Sequence, residues 1–416
     1  MADGLDARRA AIKAMNAVTD GGGLLNAVLP DVLAPLSPQD RARATRLATE
    51  ALRWAPRADR LLGPHLRLKP EEPVMNALRL AIYEINVDKV PEHAAVHAAV
   101  SLTAGRKSGL VNAVLRNVLR RGTQWDTLPV PSLPKWLRKR LVAAWGKPAV
   151  AAMEEVHASP VPLDLTVKGD PEEWASTLGG TVLPTGSVRL SSAGQVSALP
   201  GYDAGSWWVQ DAAAALPARL LEARPGERVL DLCAAPGGKT MQLAVTGAEV
   251  TALDISAARM TRVTENLSRT QLTAEIVVAD ALKWAPEAKF DAILVDAPCS
   301  ATGTLRRHPD LAFAKDGAGI DSLIALQSTM LDRALEWLLP GGRLVFCTCS
   351  LLPEEGEAQL QAALARHPDL VVEAPVGDWV DPRWLSDEGG LRIRPDYWED
   401  RGGIDGFYMV RLRKPA

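Results

Sequence analysis

Two cysteine-containing segments have the residue types and positions for nucleophilic chemistry. Asp296–Ser300 (Asp-Ala-Pro-Cys-Ser) and Cys347–Ser350 (Cys-Thr-Cys-Ser) each follow an apolar run that is typical of a buried strand. The carboxyl ends of parallel strands meet at one edge of a sheet, so we expect Cys299 and Cys349 to lie there together. A thiolate at that edge would be a nucleophile. A cysteine after an apolar strand is more often a small core residue, and Cys347 suits that alternative because it alternates with Cys349.

A segment rich in small residues joins another predicted strand to a predicted helix. Residues 231–240 read Asp-Leu-Cys-Ala-Ala-Pro-Gly-Gly-Lys-Thr. Small residues let the backbone approach a ligand, and the following helix N-terminus favours anionic groups. A Walker-type phosphate loop would need glycine in place of Cys233, and the G-x-G-x-x-G spacing is absent, which disfavours ATPases and dehydrogenases. The residues predicted to contact a cofactor here are Cys233, Ala234, Ala235, Pro236, Gly237, Gly238 and Lys239.

Two aspartates end the next predicted strands along the chain. Asp254 lies sixteen residues after Gly238, close to the spacing of about 20 at which an acidic residue binds ribose hydroxyls in such folds. Asp280 follows the next strand and could accept a hydrogen bond from an adenine amine. Either residue could instead cap a helix. Together with the glycine segment, they predict an adenosine-containing cofactor that does not require phosphates.

Metal binding is not predicted. The Cys-x-Cys spacing has no neighbouring histidine or second cysteine pair to complete a tetrahedral site. His93 and His97 would share a helix face, but the zincin pattern needs glutamate directly after the first histidine, where this chain has Ala94.

Composition places the chain among ordinary folded proteins. Of 416 residues, 47% are hydrophobic and 23% charged, which excludes disordered and collagen-like classes. The sequence contains no run of about 18 apolar residues, and its start lacks the basic and then apolar pattern of a signal peptide. We therefore expect a cytoplasmic protein that does not bind membranes. The four cysteines all lie in the second half, which makes a disulfide framework improbable.

Charge and periodicity divide the chain into three predicted domains. Residues 1–140 carry 22 Lys and Arg against 13 Asp and Glu, whereas the remainder carries 25 against 37. Apolar residues at helical spacing predict an all-helical domain over 1–125. A proline-rich linker and short strand-like runs predict a small α+β subdomain over 126–206, and alternating strands and helices predict an α/β domain over 207–416.

The basic helical domain is predicted to contact nucleic acid. The basic cluster 135–140 could either contact RNA or begin an amphipathic helix. The residues predicted to contact RNA are Arg116, Arg120, Arg121, Lys135, Arg138, Lys139 and Arg140.

These motifs together resemble the RsmB/Sun (Fmu) family of S-adenosylmethionine-dependent RNA 5-methylcytosine methyltransferases. Asp231–Thr240 resembles the cofactor loop of the family, and Asp296–Ser300 and Thr348–Ser350 resemble its two cysteine motifs. Gly406–Tyr408 is similar to the terminal Gly-Phe-Phe strand, with tyrosine replacing the second phenylalanine. Thr166–Lys168 (Thr-Val-Lys) departs from the more usual Arg-Val-Asn.

The N-terminal half extends the resemblance. Pro91–Val100 and Leu110–Arg121 resemble the NusB-like RNA-binding domain of the bacterial ribosomal branch of the family. The resemblance implies a NusB-like domain, an RRM-like α+β subdomain and a Rossmann-like methyltransferase domain. It also implies S-adenosyl-L-methionine as cofactor and 16S rRNA as the RNA partner.

The resemblance also implies roles for four residues. Cys349 is the nucleophile that adds to cytosine C6, and Cys299 assists release of the adduct. Asp296 favours the adduct through the cytosine edge and also contacts the methionine end of the cofactor, and Lys239 acts through its charge. The opposite assignment of the two thiols, known from DNA cytosine methyltransferases, stays open. Other functions that stay open are a non-catalytic RNA-binding or ribosome assembly factor, methylation of another RNA such as tRNA, and methylation of a protein or small molecule.

Overall fold

The computed structural model describes residues 4–192 and 194–416, so residues 1–3 of the predicted helical domain and residue 193 of the predicted subdomain lie outside the described residues. The α-helices are α1 (Leu5–Thr19), α2 (Leu25–Leu33), α3 (Pro38–Leu62), α4 (Glu72–Asn86), α5 (Glu92–Ser101), α6 (Arg106–Arg121), α7 (Lys135–His157), α8 (Pro171–Leu178), α9 (Ala212–Leu221), α10 (Gly238–Val245), α11 (Ala257–Thr270), α12 (Leu311–Ala314), α13 (Ile320–Trp337) and α14 (Glu357–Arg366). The strands are β1 (Leu163–Val167), β2 (Thr181–Val182), β3 (Val188–Leu190), β4 (Trp207–Val209), β5 (Arg228–Leu232), β6 (Glu249–Asp254), β7 (Glu275–Val278), β8 (Phe290–Asp296), β9 (Leu338–Thr348), β10 (Val371–Glu373), β11 (Leu391–Ile393) and β12 (Phe407–Arg413).

The chain forms two compact units. One comprises the chain up to Ser159 together with Leu305–Asp316, and the other comprises Pro160–Thr304 and Gly317–Ala416. The predicted order of an all-helical region, a small α+β sheet and an α/β region is confirmed. The two units do not correspond one to one with the three predicted domains, whose limits stay a prediction.

Helices α1–α7 and α12 form the first unit. Their apolar residues recur at three and four, so each helix can bury one face, and α6 buries Val111, Val114, Leu115 and Val118 while its arginines stay exposed. The segment Leu305–Asp316 is held within this unit by side chains. Asp310 Oδ2 accepts a hydrogen bond from the Leu25 backbone at 2.9 Å.

The smaller sheet of the second unit has the strand order β2-β3-β1-β4 and is antiparallel. Strands β1, β2 and β3 lie within the predicted subdomain 126–206, whereas β4 begins at Trp207, just beyond its predicted limit. The core of this sheet is made by Leu165, Val188, Leu190 and Trp207.

The larger sheet positions the predicted chemical residues. Its order is β10-β12-β9-β8-β5-β6-β7, with β11 paired to β12. Strands β9, β8, β5, β6 and β7 are mutually parallel, whereas β12 runs antiparallel to β9. The parallel strands therefore end at one edge, as the alternation of strands and helices predicts. Within the described residues, no helix is long and apolar enough to cross a membrane.

Candidate active site

The two cysteine motifs meet at the carboxyl edge of the larger sheet. Strands β8 and β9 are parallel neighbours, and Asp296 lies opposite Cys347 in their register. The loops that follow these strands bring the Sγ atoms of Cys299 and Cys349 to 3.4 Å from each other. Both thiols are half-buried. The expectation that Cys299 and Cys349 lie together at this edge is confirmed.

The surroundings of Cys299 favour its protonated thiol. The hydrogen bond with Cys349 raises the pKa of Cys299 well above its ordinary value, and burial and the charge of Glu355 act in the same direction. Cys299 therefore keeps its proton near neutral pH. Cys347 is fully buried within the core of the sheet, where burial and then Asp296 raise the pKa of its thiol. That environment matches the interpretation of Cys347 as a core residue.

A buried ion pair joins the glycine segment to the first cysteine motif. Lys239 Nζ lies 2.8 Å from Asp296 Oδ2, and the thiol of Cys347 donates to Asp296 Oδ1 at 3.6 Å. Burial opposes the charge of Lys239, but Asp296 outweighs it and raises the pKa of the ammonium. Lys239 therefore stays charged, and its ammonium fixes the side chain of Asp296 between β8 and β9.

The segment between β5 and α10 forms a tight turn at the end of the strand. Cys233 has a positive φ of 66°, and its amide donates to the carbonyl of Leu253 at 2.8 Å. Gly237 has a φ of 102°, and a Cβ there would lie 3.2 Å from Val263. Glycine is required at this position because an L side chain would be strained by both the dihedral angle and the neighbour.

Asp231 is a candidate cofactor residue that the sequence analysis did not single out. Its Oδ2 accepts a hydrogen bond from Thr240 at 2.5 Å, whereas Oδ1 is buried with no partner in the described part of the chain. Burial raises the pKa of Asp231 to about 6. A buried carboxylate oxygen beside a glycine turn is suited to a cationic ligand group. The available signal was an acidic residue at the end of β5, directly before the turn.

The other two predicted acidic residues have different surroundings. Asp254 is buried, and its Oδ2 lies 3.3 Å from both the amide of Ala235 and the guanidinium of Arg259. It therefore contacts the glycine segment, while its predicted role toward ribose hydroxyls stays a prediction. Asp280 is half-exposed, and its Oδ1 accepts from the amide of Leu282 at 3.0 Å within a turn. No helix begins at this turn, all of whose residues the structure describes, so Asp280 is not the helix cap considered as its alternative.

The residues predicted to contact RNA all lie in the first unit. Arg116, Arg120 and Arg121 are exposed on α6, and Lys135, Lys139 and Arg140 are exposed at the start of α7. Arg138 differs because its guanidinium pairs with the buried Glu154 at 2.9 Å. The cluster 135–140 therefore begins a helix and also presents three exposed cations.

No group of three or more potential metal ligands occurs within residues 4–192 and 194–416. His93 and His97 share a face of α5, as their spacing predicts.

Comparisons with known proteins cover both units. Residues 218–413 match the family described as 16S rRNA methyltransferase RsmB/F, and residues 5–120 match the NusB family. The chain is 37% identical to ribosomal RNA small subunit methyltransferase B of Pseudomonas putida, over 99% of each chain. It is 36% identical to the protein of the same name from Vibrio vulnificus, over 99% of this chain and all of the relative. The crystal structure of PH0851 shares the fold over 99% of each chain, with a TM-score of 0.78 and 23% identity.

Proposed function

Since this chain belongs to the RsmB/F family of 16S rRNA methyltransferases, we propose that it transfers a methyl group from S-adenosylmethionine to C5 of a cytosine in small-subunit ribosomal RNA. The observation that carries the C5 assignment is the pair of thiols, Cys299 and Cys349, whose Sγ atoms lie 3.4 Å apart at the carboxyl edge of the larger sheet. Cytosine C5 is a weak nucleophile, so its methylation requires a nucleophile that bonds covalently to C6. A thiol of the cysteine pair can form that bond.

The residues at the carboxyl edge fit S-adenosylmethionine. The unpartnered Asp231 Oδ1 would hold the cationic amino group, Asp254 the ribose hydroxyls and Asp280 the adenine amine, while residues 233–239 line the turn. The buried carboxylates suit a cofactor that carries positive charge and no phosphate. The bound cofactor supplies an electrophilic methyl group on its sulfonium.

Cys349 is assigned as the nucleophile. Its thiolate adds to C6 of the flipped cytosine, which forms a C–S bond and moves the ring electron pair to C5. The Sγ atom of Cys299 lies 3.4 Å from that of Cys349, so the second thiol is within reach of the same base. C5 is then nucleophilic enough to take the methyl group.

Cys299 is assigned to release of the adduct. The largest cause of its raised pKa is the hydrogen bond with Cys349, and this bond is lost once Cys349 is bonded to C6. The pKa of Cys299 then falls, and its thiolate can take the proton from C5. The electron pair of the C5–H bond re-forms the C5–C6 double bond and expels the Cys349 thiolate.

Asp296 and Lys239 are assigned to positioning and charge. The 2.8 Å contact with Lys239 fixes the Asp296 carboxylate, which then meets the N3 and N4 edge of the cytosine. The ammonium of Lys239 also lies where it can attract the carboxylate of the amino acid part of the cofactor. Both assignments follow from the buried ion pair.

The substrate base must leave its stack to bring its C5 and C6 atoms to the thiols at the sheet edge, so an unpaired segment of the RNA is the proposed target. The exposed cations of α6 and α7 are proposed to bind phosphates of that RNA. The proposed domain limits are 1–125 for RNA binding, 126–206 for the linker and small α+β subdomain, and 207–416 for methyl transfer. A ribosomal RNA substrate also favours the cytoplasmic location predicted from the sequence.

The test uses labelled S-adenosylmethionine and unmethylated small-subunit rRNA, followed by nucleoside analysis and a denaturing gel that detects covalent protein–RNA adducts. The wild type is expected to label 5-methylcytosine. Cys349→Ala should lower the rate at least about a thousandfold without forming adduct, because the nucleophile is lost. Cys299→Ala should accumulate adduct.

Cys347→Ala is the matched control, because it removes a third thiol from the same strand and should retain methyl transfer. Adduct accumulation in Cys349→Ala and its loss in Cys299→Ala would reverse the two roles. Transfer of label to tRNA but not to rRNA would show that the substrate is tRNA. RNA binding without any transfer by the wild type would favour a non-catalytic RNA-binding factor.

A further inference from the structure

Glu355 is a buried carboxylate that contacts both cysteine-bearing loops. It lies in the turn after Ser350 and is fully inaccessible to solvent. Burying a carboxylate is costly unless several donors surround it. This glutamate is separate from the aspartates at the strand ends and from the Lys239–Asp296 pair.

The donors to Glu355 come from the residues next to each thiol. Oε1 accepts from the amide of Ser300 at 2.9 Å, and Oε2 accepts from the hydroxyls of Ser300 and of Ser350, the latter at 2.6 Å. Ser300 directly follows Cys299, and Ser350 directly follows Cys349. One carboxylate therefore joins two loops that are 50 residues apart in the sequence.

Helices behind the turn hold the carboxylate in place. Gln327 of α13 donates to Glu355 Oε1 at 3.0 Å and to the carbonyl of Pro298 at 2.9 Å. Gln359 of α14 donates to Gln327 Oε1 at 3.1 Å, which fixes the orientation of the Gln327 amide. The carboxylate of Glu355 thus accepts hydrogen bonds from the Ser300 amide, from two serine hydroxyls and from the Gln327 amide.

We propose that Glu355 is a positioning residue for the methyl transfer: its carboxylate couples the Ser300 and Ser350 loops and so holds the thiols of Cys299 and Cys349 in contact. The inference rests on the proposed function for its role in catalysis, whereas the coupling of the loops rests on the geometry alone. Covalent addition and release both depend on the relative position of the two thiols. A displacement of about 1 Å is enough to slow such a step about a hundredfold.

The charge of Glu355 has a second consequence for Cys299. The groups that face the Cys299 thiol are Cys349, the Glu355 carboxylate and the backbone amide of Ala301. The first two favour the protonated thiol, and the amide favours the thiolate. Glu355 therefore helps to keep the proton on Cys299 while Cys349 acts as the nucleophile.

The main test compares Glu355→Gln with the wild type. The amide has the same shape but lacks the charge and replaces one acceptor with a donor, so we expect kcat to fall about 10- to 100-fold while KM for RNA and for S-adenosylmethionine changes less than about twofold. Glu354→Gln is the matched control, since it removes a charge from the partly exposed neighbour in the same turn. Wild-type kcat in Glu355→Gln, or a rise in KM alone, would overturn the proposal.

Two readouts do not depend on methyl transfer. Oxidation with diamide should form a Cys299–Cys349 disulfide, detected by peptide mass spectrometry, and Glu355→Gln should form it more slowly because the loops are no longer joined. In the Cys349→Ala background, Glu355→Gln should move the pH midpoint of Cys299 alkylation to lower pH. Unchanged cross-linking and an unchanged midpoint would overturn the proposal even if the RNA substrate had been wrongly assigned.

Ser350→Ala provides a second variant in case Glu355→Gln does not fold. It keeps the carboxylate and removes the donor beside Cys349, so a fall in kcat and slower cross-linking are again expected. Combining it with Ser300→Ala should cost less than the product of the two single effects, because both act through one carboxylate. Wild-type kcat and wild-type cross-linking in both serine variants would overturn the coupling.

Discussion

The thiol-bearing edge of the larger sheet and the basic face of α6 are opposite kinds of functional surface. At the sheet edge, Asp296 and Glu355 are held by partners at 2.6–3.0 Å, and those partners are themselves buried or paired. On α6, Arg116 and Arg120 are exposed and donate hydrogen bonds to asparagines of the same helix. Covalent chemistry needs atoms fixed relative to each other, whereas phosphate attraction needs only charge within reach.

The comparison teaches which kind of mutation each region tolerates. A small change of shape at the sheet edge should disturb the reaction although no charge is altered. On the exposed face of α6, the shape of a side chain should matter little, and the number of positive charges should determine the affinity for RNA. Three predictions test this contrast.

The largest effect is expected from adding one methyl group at Gly303. A Cβ there would lie 1.9 Å from the carbonyl oxygen of Gly406 and 2.9 Å from that of Cys349, so the backbone that carries the nucleophile has to shift. Gly303→Ala should lower the rate of methyl transfer at least about a hundredfold, measured with saturating cofactor and RNA. Gly109→Ala on α6 is the control, since nothing lies within 4 Å of its added Cβ.

In Gly109→Ala, the free energy of unfolding should rise by about 0.5–1 kcal/mol, because alanine favours a helix over glycine. Its activity should match the wild type. If Gly303→Ala kept full activity, the sheet edge would be less constrained than its contacts indicate.

A smaller effect is expected from removing charge on α6. Replacing Arg116, Arg120 and Arg121 together by alanine should weaken rRNA binding about tenfold at moderate salt and reduce the slope of log affinity against log salt by about 2. The measurement is a salt titration of RNA affinity. At saturating RNA, kcat should stay unchanged.

Arg138→Ala provides the control for this prediction. Its guanidinium is committed to the buried Glu154, so its loss should lower the free energy of unfolding by about 1–3 kcal/mol and leave the salt slope unchanged. An affinity loss for Arg138→Ala as large as for the triple variant would contradict the distinction between paired and exposed cations.

The smallest effect concerns the charge buried at the sheet edge. Burial raises the pKa of Asp231 to about 6, compared with about 3.9 in an unfolded chain. Because the folded state holds the proton more tightly, this group contributes stability below about pH 4, and that contribution is lost as the pH rises through 6.

Asp231→Asn removes this dependence. Relative to the wild type, the variant should gain about 1 kcal/mol in free energy of unfolding between pH 5 and pH 8, measured by urea unfolding without cofactor. A constant difference between variant and wild type across this range would show that Asp231 does not titrate there. Added S-adenosylmethionine should stabilise the wild type more than the variant at pH 8.

The strand ends were predictable because strand patterns are local. Apolar runs in the sequence coincide with β5, β6, β8 and the end of β9 to within about one residue. A parallel sheet then brings the ends of its strands to one edge, whatever the conformation of the loops. That was enough to bring Cys299 and Cys349 together. The limits of the compact units were harder to predict from the sequence, because Leu305–Asp316 is far along the chain from the helices it packs with.

Single-residue pairings were not predictable in the same way. Arg138 has the same sequence surroundings as Lys139 and Arg140, and only the return of α7 past its kink at Gly146 brings Glu154 to it. Asp280 and Asp254 both end strands, yet one caps its own turn and the other contacts the glycine segment. Sequence spacing does not distinguish such cases.

The sequence by itself determined the chemistry available to this protein: two cysteine motifs after buried strands, a glycine turn with acidic residues, and a basic helical region. Tertiary structure alone decided that the thiols lie 3.4 Å apart, that Asp231 keeps an oxygen free, and that Glu355 joins the Ser300 and Ser350 loops. The physical reason is the distance along the chain over which each kind of interaction acts. Periodicity and turn chemistry act over a few residues, whereas the partners of a buried polar group are supplied by distant segments only after the core has packed.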